Sequence, residues 1–348
     1  MTKIKIITNE ISRRGGIEEV TRQVNYIFEN SSDFSVEIVY YPQNRLSELW
    51  LKIKLLLQSN KNNVIMFMHP FLLHRFNNYW FKLNKSKIVC WAYGIDVWGD
   101  FGKVHTRNFV NSNLLIAISE FTRKQVLINY PHVNIATVNL GVDESLIKSV
   151  KDNNKNSFEI LTVGRLSSEE KYKGHDLVIE ALSALRNRGI TDIKYHIVGS
   201  GNDLERLKML VFHNKLDKNV IFHGYVNDTD IYNIYNRSSV FVMPSQIIRR
   251  DKSIWGGEGF GLVYLEAGLY GLPVIATNEG GQTDCIINGE TGFLINGNVD
   301  ELVEKLYFYY NNRTIAFEMG QNGRKYVVEN FTLTHFKNRL LKVIQSIL

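Results

Sequence analysis

The sequence predicts two doubly wound α/β domains in tandem, each a mostly parallel sheet with helices on both faces. Three observations carry this reading. Short β-branched runs alternate with longer amphipathic runs along the chain, which is the pattern of βαβ units. The alternation is interrupted by a polar, charged stretch, residues 150–158 with KDNNKNS at its middle, and then restarts. The length, 348 residues, suits two domains of roughly 150 residues each.

In the first half, Ile4–Thr8, Ser35–Tyr40, Val64–Met68, Ile88–Ala92 and Leu114–Ile118 read as strands, and Ile17–Asn30 as a helix. In the second half the strands are Glu159–Val163, Lys194–Val198, Val220–His223, Val240–Met243 and Pro273–Thr277. His175–Arg188 and Asp203–Asn214 read as helices between them. The expected domains are residues 1–152 and 153–330, with a C-terminal helix over 331–348 packing back on the first. Two such domains would face a central cleft at the carboxyl ends of their strands, where open α/β sheets bind ligands.

Composition is that of an ordinary soluble protein, 44% hydrophobic and 22% charged. Cys90 and Cys285 lack CxxC spacing and read as reduced thiols of a cytoplasmic protein rather than zinc ligands. The N-terminus enters a strand pattern directly, without a signal-peptide pattern. No apolar run approaches the roughly 18 residues of a membrane span. The net charge of +6 is one-sided: residues 1–150 hold 18 Lys and Arg against 12 Asp and Glu, while the remainder holds 23 of each. Such a surplus is either a solvated basic face or an attraction to an anionic partner. No nucleic-acid-binding motif accompanies it, which disfavours nucleic acid as that partner.

Three motifs carry chemistry. Gly15-Gly16 lies between the first strand and helix, where glycines let backbone N–H groups approach an anion or simply make a tight turn. Gly164-Arg165-Leu166, followed by Lys171-Tyr172-Lys173-Gly174-His175, lies between a strand and a helix. There Arg165 can fork onto a phosphate and Lys173 adds a point charge, unless both serve surface ion pairs. The third is Glu258-Gly259-Phe260-Gly261-Leu262-Val263-Tyr264-Leu265-Glu266, two glutamates eight apart with two glycines between them. Gly259–Gly261 should form a loop opening a helix from Leu262, with an anion at its N-terminus and Glu266 about one turn in, placed to accept from a vicinal diol. His69 and His74 sit beside Pro70 and apolar residues and read as satisfied side chains, and no metal-ligand spacing appears.

With these motifs in place, the chain resembles glycosyltransferase family 4, of the Rossmann-like, two-domain GT-B fold. The resemblance covers nearly the whole chain. It runs through Ser119-Glu120-Phe121-Thr122-Arg123, Asn139-Leu140-Gly141-Val142-Asp143, Gly164-Arg165-Leu166 with Lys173-Gly174, and Val198-Gly199-Ser200-Gly201. It continues through Phe222-His223-Gly224-Tyr225-Val226, Met243-Pro244-Ser245, the two-glutamate motif, Gly271-Leu272-Pro273-Val274-Ile275 and Gly280-Gly281. It implies that Arg165 and Lys173 neutralise a donor diphosphate, that Glu266 holds the ribose, and that Glu258 lies near the donor hexose. By the same match Gly199, Gly201, Gly224, Tyr225 and Val226 line the base pocket, Gly16 lies near the phosphates, and Gly259, Phe260, Gly261 and Leu262 complete the donor loop.

Three departures mark this chain. Tyr93-Gly94-Ile95-Asp96 stands where the family often has His-Gly, and a phenol cannot become a cation near neutral pH. Gly280-Gly281-Gln282-Thr283-Asp284 has the shorter acid. The stretch after Ser245 is extended through Gln246–Gly257 and carries Arg249 and Arg250. Tyr93, Asp96, Arg249 and Arg250 are therefore candidates for acceptor binding, with plain surface charge the competing reading of the arginines.

The resemblance implies a retaining transfer of a hexose from a UDP- or GDP-linked donor, with no cofactor and no metal, because Arg, Lys and a helix dipole can stabilise the leaving diphosphate. The expected acceptor is a saccharide, lipid-linked, of surface polysaccharide biosynthesis. Ser47–Gln58 is amphipathic and Phe71–Lys87 mixes aromatics with Arg75, Lys82, Lys85 and Lys87. These segments suit either contact with anionic lipid at the inner face of the plasma membrane or packing into the core. Two further readings stay open: a glycosyl phosphorylase of similar fold, and a sugar-nucleotide-binding partner without catalysis.

Overall fold

The computed structural model describes residues 1–9, 16–99, 106–143, 145, 157–250 and 253–348. Gly15 and nearly all of the expected boundary stretch around residue 152 lie outside the described residues. The chain forms two compact units. One comprises Met1–Leu140 with Arg250–Ile254 and Thr334–Leu348; the other comprises Gly141–Arg249 with Trp255–Leu333.

The first unit is built on β1 (Thr2–Thr8), α1 (Gly16–Glu29), β2 (Phe34–Tyr40), α2 (Arg45–Leu57), β3 (Val64–Phe67), α3 (Pro70–His74) and α4 (Asn78–Leu83). It continues with β4 (Lys87–Ala92), β5 (Leu114–Ala117), α5 (Glu120–Asn129) and β6 (Ile135–Thr137). Its six strands run in the order β2-β1-β3-β4-β5-β6, every pair parallel. β3 is buried at all four positions, as expected of a strand covered on both faces. Helix starts are set by side chains: Asn44, Asn77 and Ser119 each accept a backbone N–H from the first turn of α2, α4 and α5.

The second unit holds β7 (Glu159–Val163), α6 (His175–Asn187), β8 (Lys194–Val198), α7 (Leu204–His213), β9 (Val220–Gly224), α8 (Asp228–Arg237) and β10 (Val240–Val242). After the short strands β11 (Ile248–Arg250) and β12 (Ser253–Gly256) come α9 (Leu262–Leu269), β13 (Val274–Thr277), β14 (Gly292–Ile295), α10 (Val299–Asn311) and α11 (Arg313–Asn330). The last helix, α12 (Leu333–Gln345), falls almost wholly within the first unit, where Phe336 meets Trp91 with ring centroids 6.2 Å apart. The second sheet runs β14-β13-β10-β7-β8-β9, again all parallel. Its core joins Ile160, Val178, Leu182, Tyr195, Ile197 and Val242, contributed by strands and helices alike. Both units are thus parallel-sheet, Rossmann-like α/β domains. β6 and β14 are strands that the sequence reading does not pick out. The extension after Ser245 is two paired strands, β11 and β12, rather than an irregular loop.

Strand order fixes where the second unit can hold a ligand. Beginning at β7, the chain lays β8 and β9 on one side, then crosses back to lay β10, β13 and β14 on the other. The connections leaving β7 and β10 therefore part in opposite directions and open a crevice at their carboxyl ends.

One helix of the unit depends on close backbone approach. α9 packs on α11, and a Cβ on Gly320 of α11 would lie 2.0 Å from the carbonyl oxygen of Gly271. Alanine favours a helix over glycine by up to about 1 kcal/mol, but here the steric term is larger. Gly320→Ala is expected to destabilise the protein by about 2–4 kcal/mol. Chemical denaturation checks this, and an unchanged or raised midpoint would show that the two helices do not pack this tightly.

Candidate functional site

The donor residues expected from the second half, Arg165 through Glu266, lie in the second unit, and most of them lie on the loops leaving the carboxyl ends of β7–β10. Three of these loops are stitched by backbone. Gly164 N–H donates to Val198 O at 2.9 Å, Leu166 N–H to Ser200 O at 3.0 Å, and Gly199 N–H to Gly224 O at 2.9 Å. A Cβ on Gly199, whose φ is +141°, would fall 1.8 Å from Gly164 O. Only glycine lets the β7 and β8 loops meet so closely.

Lys173 lies at the switch between β7 and β10. Its turn, Lys171–Lys173, ends on Gly174 in the left-handed conformation, φ +81°, and a Cβ there would be 2.6 Å from Pro244 O just beyond β10. The Lys173 stem runs across Gly164 of the β7 loop, its Cδ 3.3 Å from where a Cβ would stand. The ammonium then reaches two carboxylates: Nζ is 3.6 Å from Glu258 Oε2 and 3.7 Å from Glu170 Oε2. All three side chains are largely buried. Arg165 pairs with the other oxygen of Glu170, yet its own side chain is 78% exposed. Tyr172 places its ring 5.5 Å from the ammonium. Burial first, then the charges of Glu258 and Glu170, raise its phenol so that it stays neutral. His175 is also neutral near pH 7: burial, and then the neighbouring Lys173 charge, push it down to about 4.

The two-glutamate motif is anchored to the same place. Gly261, φ +91°, opens α9. Tyr264 in the first turn donates its hydroxyl to Met243 O at 2.8 Å, tying the helix start to the end of β10. Gly281 N–H donates to Glu258 O at 2.8 Å, and a Cβ on Gly281 would fall 1.9 Å from Gly259 O, so the Gly280-Gly281 turn seats directly on the Glu258–Gly261 loop. Phe260 is buried and anchors the loop, its carbonyl 3.5 Å from the Cys285 thiol. Gln282 is also buried, and its amide donates to Ser245 O, Thr277 Oγ1 and Glu279 O. That amide gives this turn a framework role beside the shorter acid Asp284.

Glu266 is the fifth residue of α9. It accepts from Tyr235 Oη of α8 at 3.1 Å, and Tyr235 is stacked on Tyr270 with centroids 4.5 Å apart. Among the described residues no cation pairs with it. Burial raises its carboxyl above the usual range, and the Tyr235 hydroxyl offsets only part of that. Tyr225 is exposed and Val226 half-buried at the end of the β9 loop. Glu170, Tyr172, Tyr235 and Tyr264 are the members that the sequence reading missed. Glu170 carries a signal, an acid lodged between the two cations of the motif; Tyr235, 31 residues from Glu266, carries none.

The family decides the class. The model of the glycosyl transferases group 1 matches residues 143–326, more than half of the chain. This chain belongs to the glycosyl transferases group 1. Among its relatives is the capsular polysaccharide biosynthesis glycosyltransferase CapM of Staphylococcus aureus, 30% identical over 63% of this chain and 57% of that protein. Another is the GDP-mannose-dependent alpha-(1-6)-phosphatidylinositol monomannoside mannosyltransferase of Mycolicibacterium smegmatis, 31% identical over 46% of this chain and 41% of that one. The chain spans about half the length of these curated relatives. In fold it is similar to Anabaena HepE solved with UDP, with a TM-score of 0.79 at 17% identity over 99% of this chain and all of that one. It is likewise similar to the lipopolysaccharide outer core galactosyltransferase WaaB, with a TM-score of 0.76 at 21% identity over 99% of this chain and 100% of the other.

The remaining expected residues belong to the first unit or to β11. Gly16 begins α1, and a Cβ there would meet nothing within 4 Å, so no steric need explains it. Asp96 is buried and accepts the backbone N–H groups of Tyr93 and Gly94 at 3.1 and 2.5 Å. Its carboxylate is thereby engaged in closing the loop after β4. The Tyr93 ring stacks on Trp91 with centroids 6.1 Å apart. Arg249, on β11 in the second unit, is paired with Glu279, and Arg250 is exposed. Among the described residues no group of three His, Cys, Asp or Glu could hold a metal ion, and no helix is long and apolar enough to cross a membrane.

A half-buried carboxylate without a cation opposes folding once ionised. Because the native Glu266 carboxyl holds its proton more tightly than the unfolded chain does, stability falls as pH rises past the ordinary carboxylate value of about 4.3. Glu266→Gln is therefore expected to melt higher than the wild type at pH 8, with the gap closing as pH falls through the carboxylate range. Scanning calorimetry across that range checks it, and a variant that melts lower at pH 8 would contradict the assignment.

Proposed function

We propose that the chain transfers a hexose from a UDP- or GDP-linked donor to a saccharide acceptor with retention of anomeric configuration. The observation that carries this is the shared ammonium of Lys173 at the β7/β10 switch, beside Arg165 and under the glycine loops. It is a largely buried cation where an open α/β sheet binds its ligand. Breaking the sugar–phosphate bond develops negative charge on the diphosphate and positive charge on the anomeric carbon. In this reading Lys173, Arg165 and the opening turn of α9 stabilise the first, and the Glu258 carboxylate the second. In this reading Glu266 holds the ribose diol, beside the Tyr235 hydroxyl that already donates to it.

Retention rests on the likeness to family 4. The acceptor hydroxyl attacks on the face that the diphosphate leaves, with a departing phosphate oxygen taking its proton. The curated relatives, a capsular polysaccharide enzyme and a phosphatidylinositol monomannoside mannosyltransferase, support a lipid-linked saccharide of surface polysaccharide biosynthesis as acceptor. They also support work at the inner face of an anionic membrane, with Tyr93, Asp96, Arg249 and Arg250 as candidates on the acceptor side.

Arg165→Ala and Lys173→Ala should each lower the rate of donor consumption by roughly 10²–10³, the loss expected on removing one preorganised charge stabiliser. The donor is first chosen as the UDP- or GDP-sugar whose free nucleotide raises the melting temperature, since a ligand of the native state stabilises it by mass action. Near-wild-type turnover in the lysine variant, or cleavage that needs inorganic phosphate and no nucleotide, would overturn the proposal.

A further inference from the structure

Helix α2 has two apolar faces, and among the described residues only one of them is packed. Leu51 and Leu55 are buried against the first unit. Leu46, Leu49, Trp50, Ile53 and Leu57 are exposed, Leu46 at 74%, Trp50 at 70% and Leu57 at 83%. At roughly 100° per residue these five fall within an arc of about 100°, on the side away from Leu51 and Leu55. They form a continuous stripe along the helix. The stripe borders an apolar groove of about 540 Å³ lined by Tyr40, Pro42, Trp50, Ile53 and Leu57 among others. The neighbouring α4 adds exposed Tyr79 and Leu83, and it is fixed beside α2 by Trp80 Nε1 donating to Lys52 O at 3.0 Å. Single exposed apolar residues need no explanation, but a contiguous stripe of this kind does.

The charge around the stripe says what covers it. From residue 34 to residue 87 the chain carries eight Lys and Arg against two acids, Glu37 and Glu48. Both acids are taken up in ion pairs, Glu37 with Lys3 and Lys54, and Glu48 with Lys52 and Arg75. Arg45, Lys61, Lys82 and Lys85 are exposed and carry the surplus. A second copy of so basic a face would be repelled, and an apolar core partner would strand the cations. An apolar stripe flanked by exposed cations matches the boundary between lipid headgroups and acyl chains.

We propose that α2 lies in the plane of an anionic membrane, with Leu46, Leu49, Trp50, Ile53 and Leu57 set into the acyl boundary and Arg45, Lys54, Lys82 and Lys85 at the headgroups. This rests on the membrane contact in the proposed function and goes beyond it. It names an inserting element in place of loose adsorption, and it holds whatever the donor is.

The five tryptophans make the test direct. Trp80, Trp91 and Trp98 are buried, so Trp50 and Trp255 are the exposed pair. In a Trp255→Phe background, vesicles of phosphatidylglycerol brominated on the acyl chains should quench Trp50 emission, and phosphatidylcholine vesicles with the same bromination should not. Trp50→Glu in the wild-type background should lower partition into phosphatidylglycerol vesicles by roughly tenfold or more, with the melting temperature and nucleotide binding unchanged. Binding without quenching would mean adsorption by charge alone and would overturn insertion. So would a concentration-dependent dimer abolished by Trp50→Glu, which would make a second copy the occupant. Because neither arm reads turnover, loss of the glycosyltransferase reading would leave these results standing, and their failure would leave that reading intact.

Discussion

The organisation of the second unit turns on one ammonium group shared by two carboxylates. Lys173 is held between Glu170 and Glu258, and Glu170 also takes Arg165. The four charges sum to zero, so the cluster is tolerable in a largely buried place without a ligand. The two cations are bound very differently. Arg165 is mostly exposed and held by one carboxylate, so turning it toward an incoming anion costs little. Lys173 is constrained along its whole length by Gly164, Tyr172 and the two glutamates. In the proposed reaction this divides the work: the arginine recruits the diphosphate and the lysine fixes where its charge must come to rest.

Glycine makes that placement possible. Lys173 reaches the switch point because Gly164 leaves room for its stem and Gly174 takes a left-handed turn against Pro244 O. Glu258 reaches the lysine because Gly261 opens α9 and Gly281 lets a neighbouring turn touch Gly259. Each of these close approaches puts backbone where a Cβ would otherwise stand. Glu266 follows a different rule. It is half-buried, accepts from Tyr235, and sits on a helix. In the proposed reading the paired hydroxyls of the ribose meet this carboxylate.

Much of this was legible in the sequence. Parallel strands read clearly because buried strands are continuous apolar runs, and the glycine loops read clearly because they fall where those runs end. β6 and β14 were not legible because each is an edge strand, half-buried at all three positions of β6 and at the middle two of β14, so the signal of a fully covered strand is missing. The pairing of β11 with β12 escaped because the extension has no strong alternation. The partners of the site residues were the least visible. Tyr235 meets Glu266, and Tyr264 meets Met243, only through tertiary packing, which no local pattern encodes. The amphipathic run at Ser47–Gln58 was ambiguous for a related reason: apolar residues occur on two faces of one helix, and only the fold shows that Leu51 and Leu55 are packed while the opposite stripe is not.

The most direct test of this account is a crystal structure of the protein with its nucleoside diphosphate bound. The expected result has Lys173 Nζ within hydrogen-bonding distance of a diphosphate oxygen at the carboxyl ends of β7 and β10, Arg165 turned away from Glu170 onto the same diphosphate, and both ribose hydroxyls on the Glu266 carboxylate. A diphosphate bound elsewhere, with Lys173 still between Glu170 and Glu258 and Arg165 still on Glu170, would contradict it.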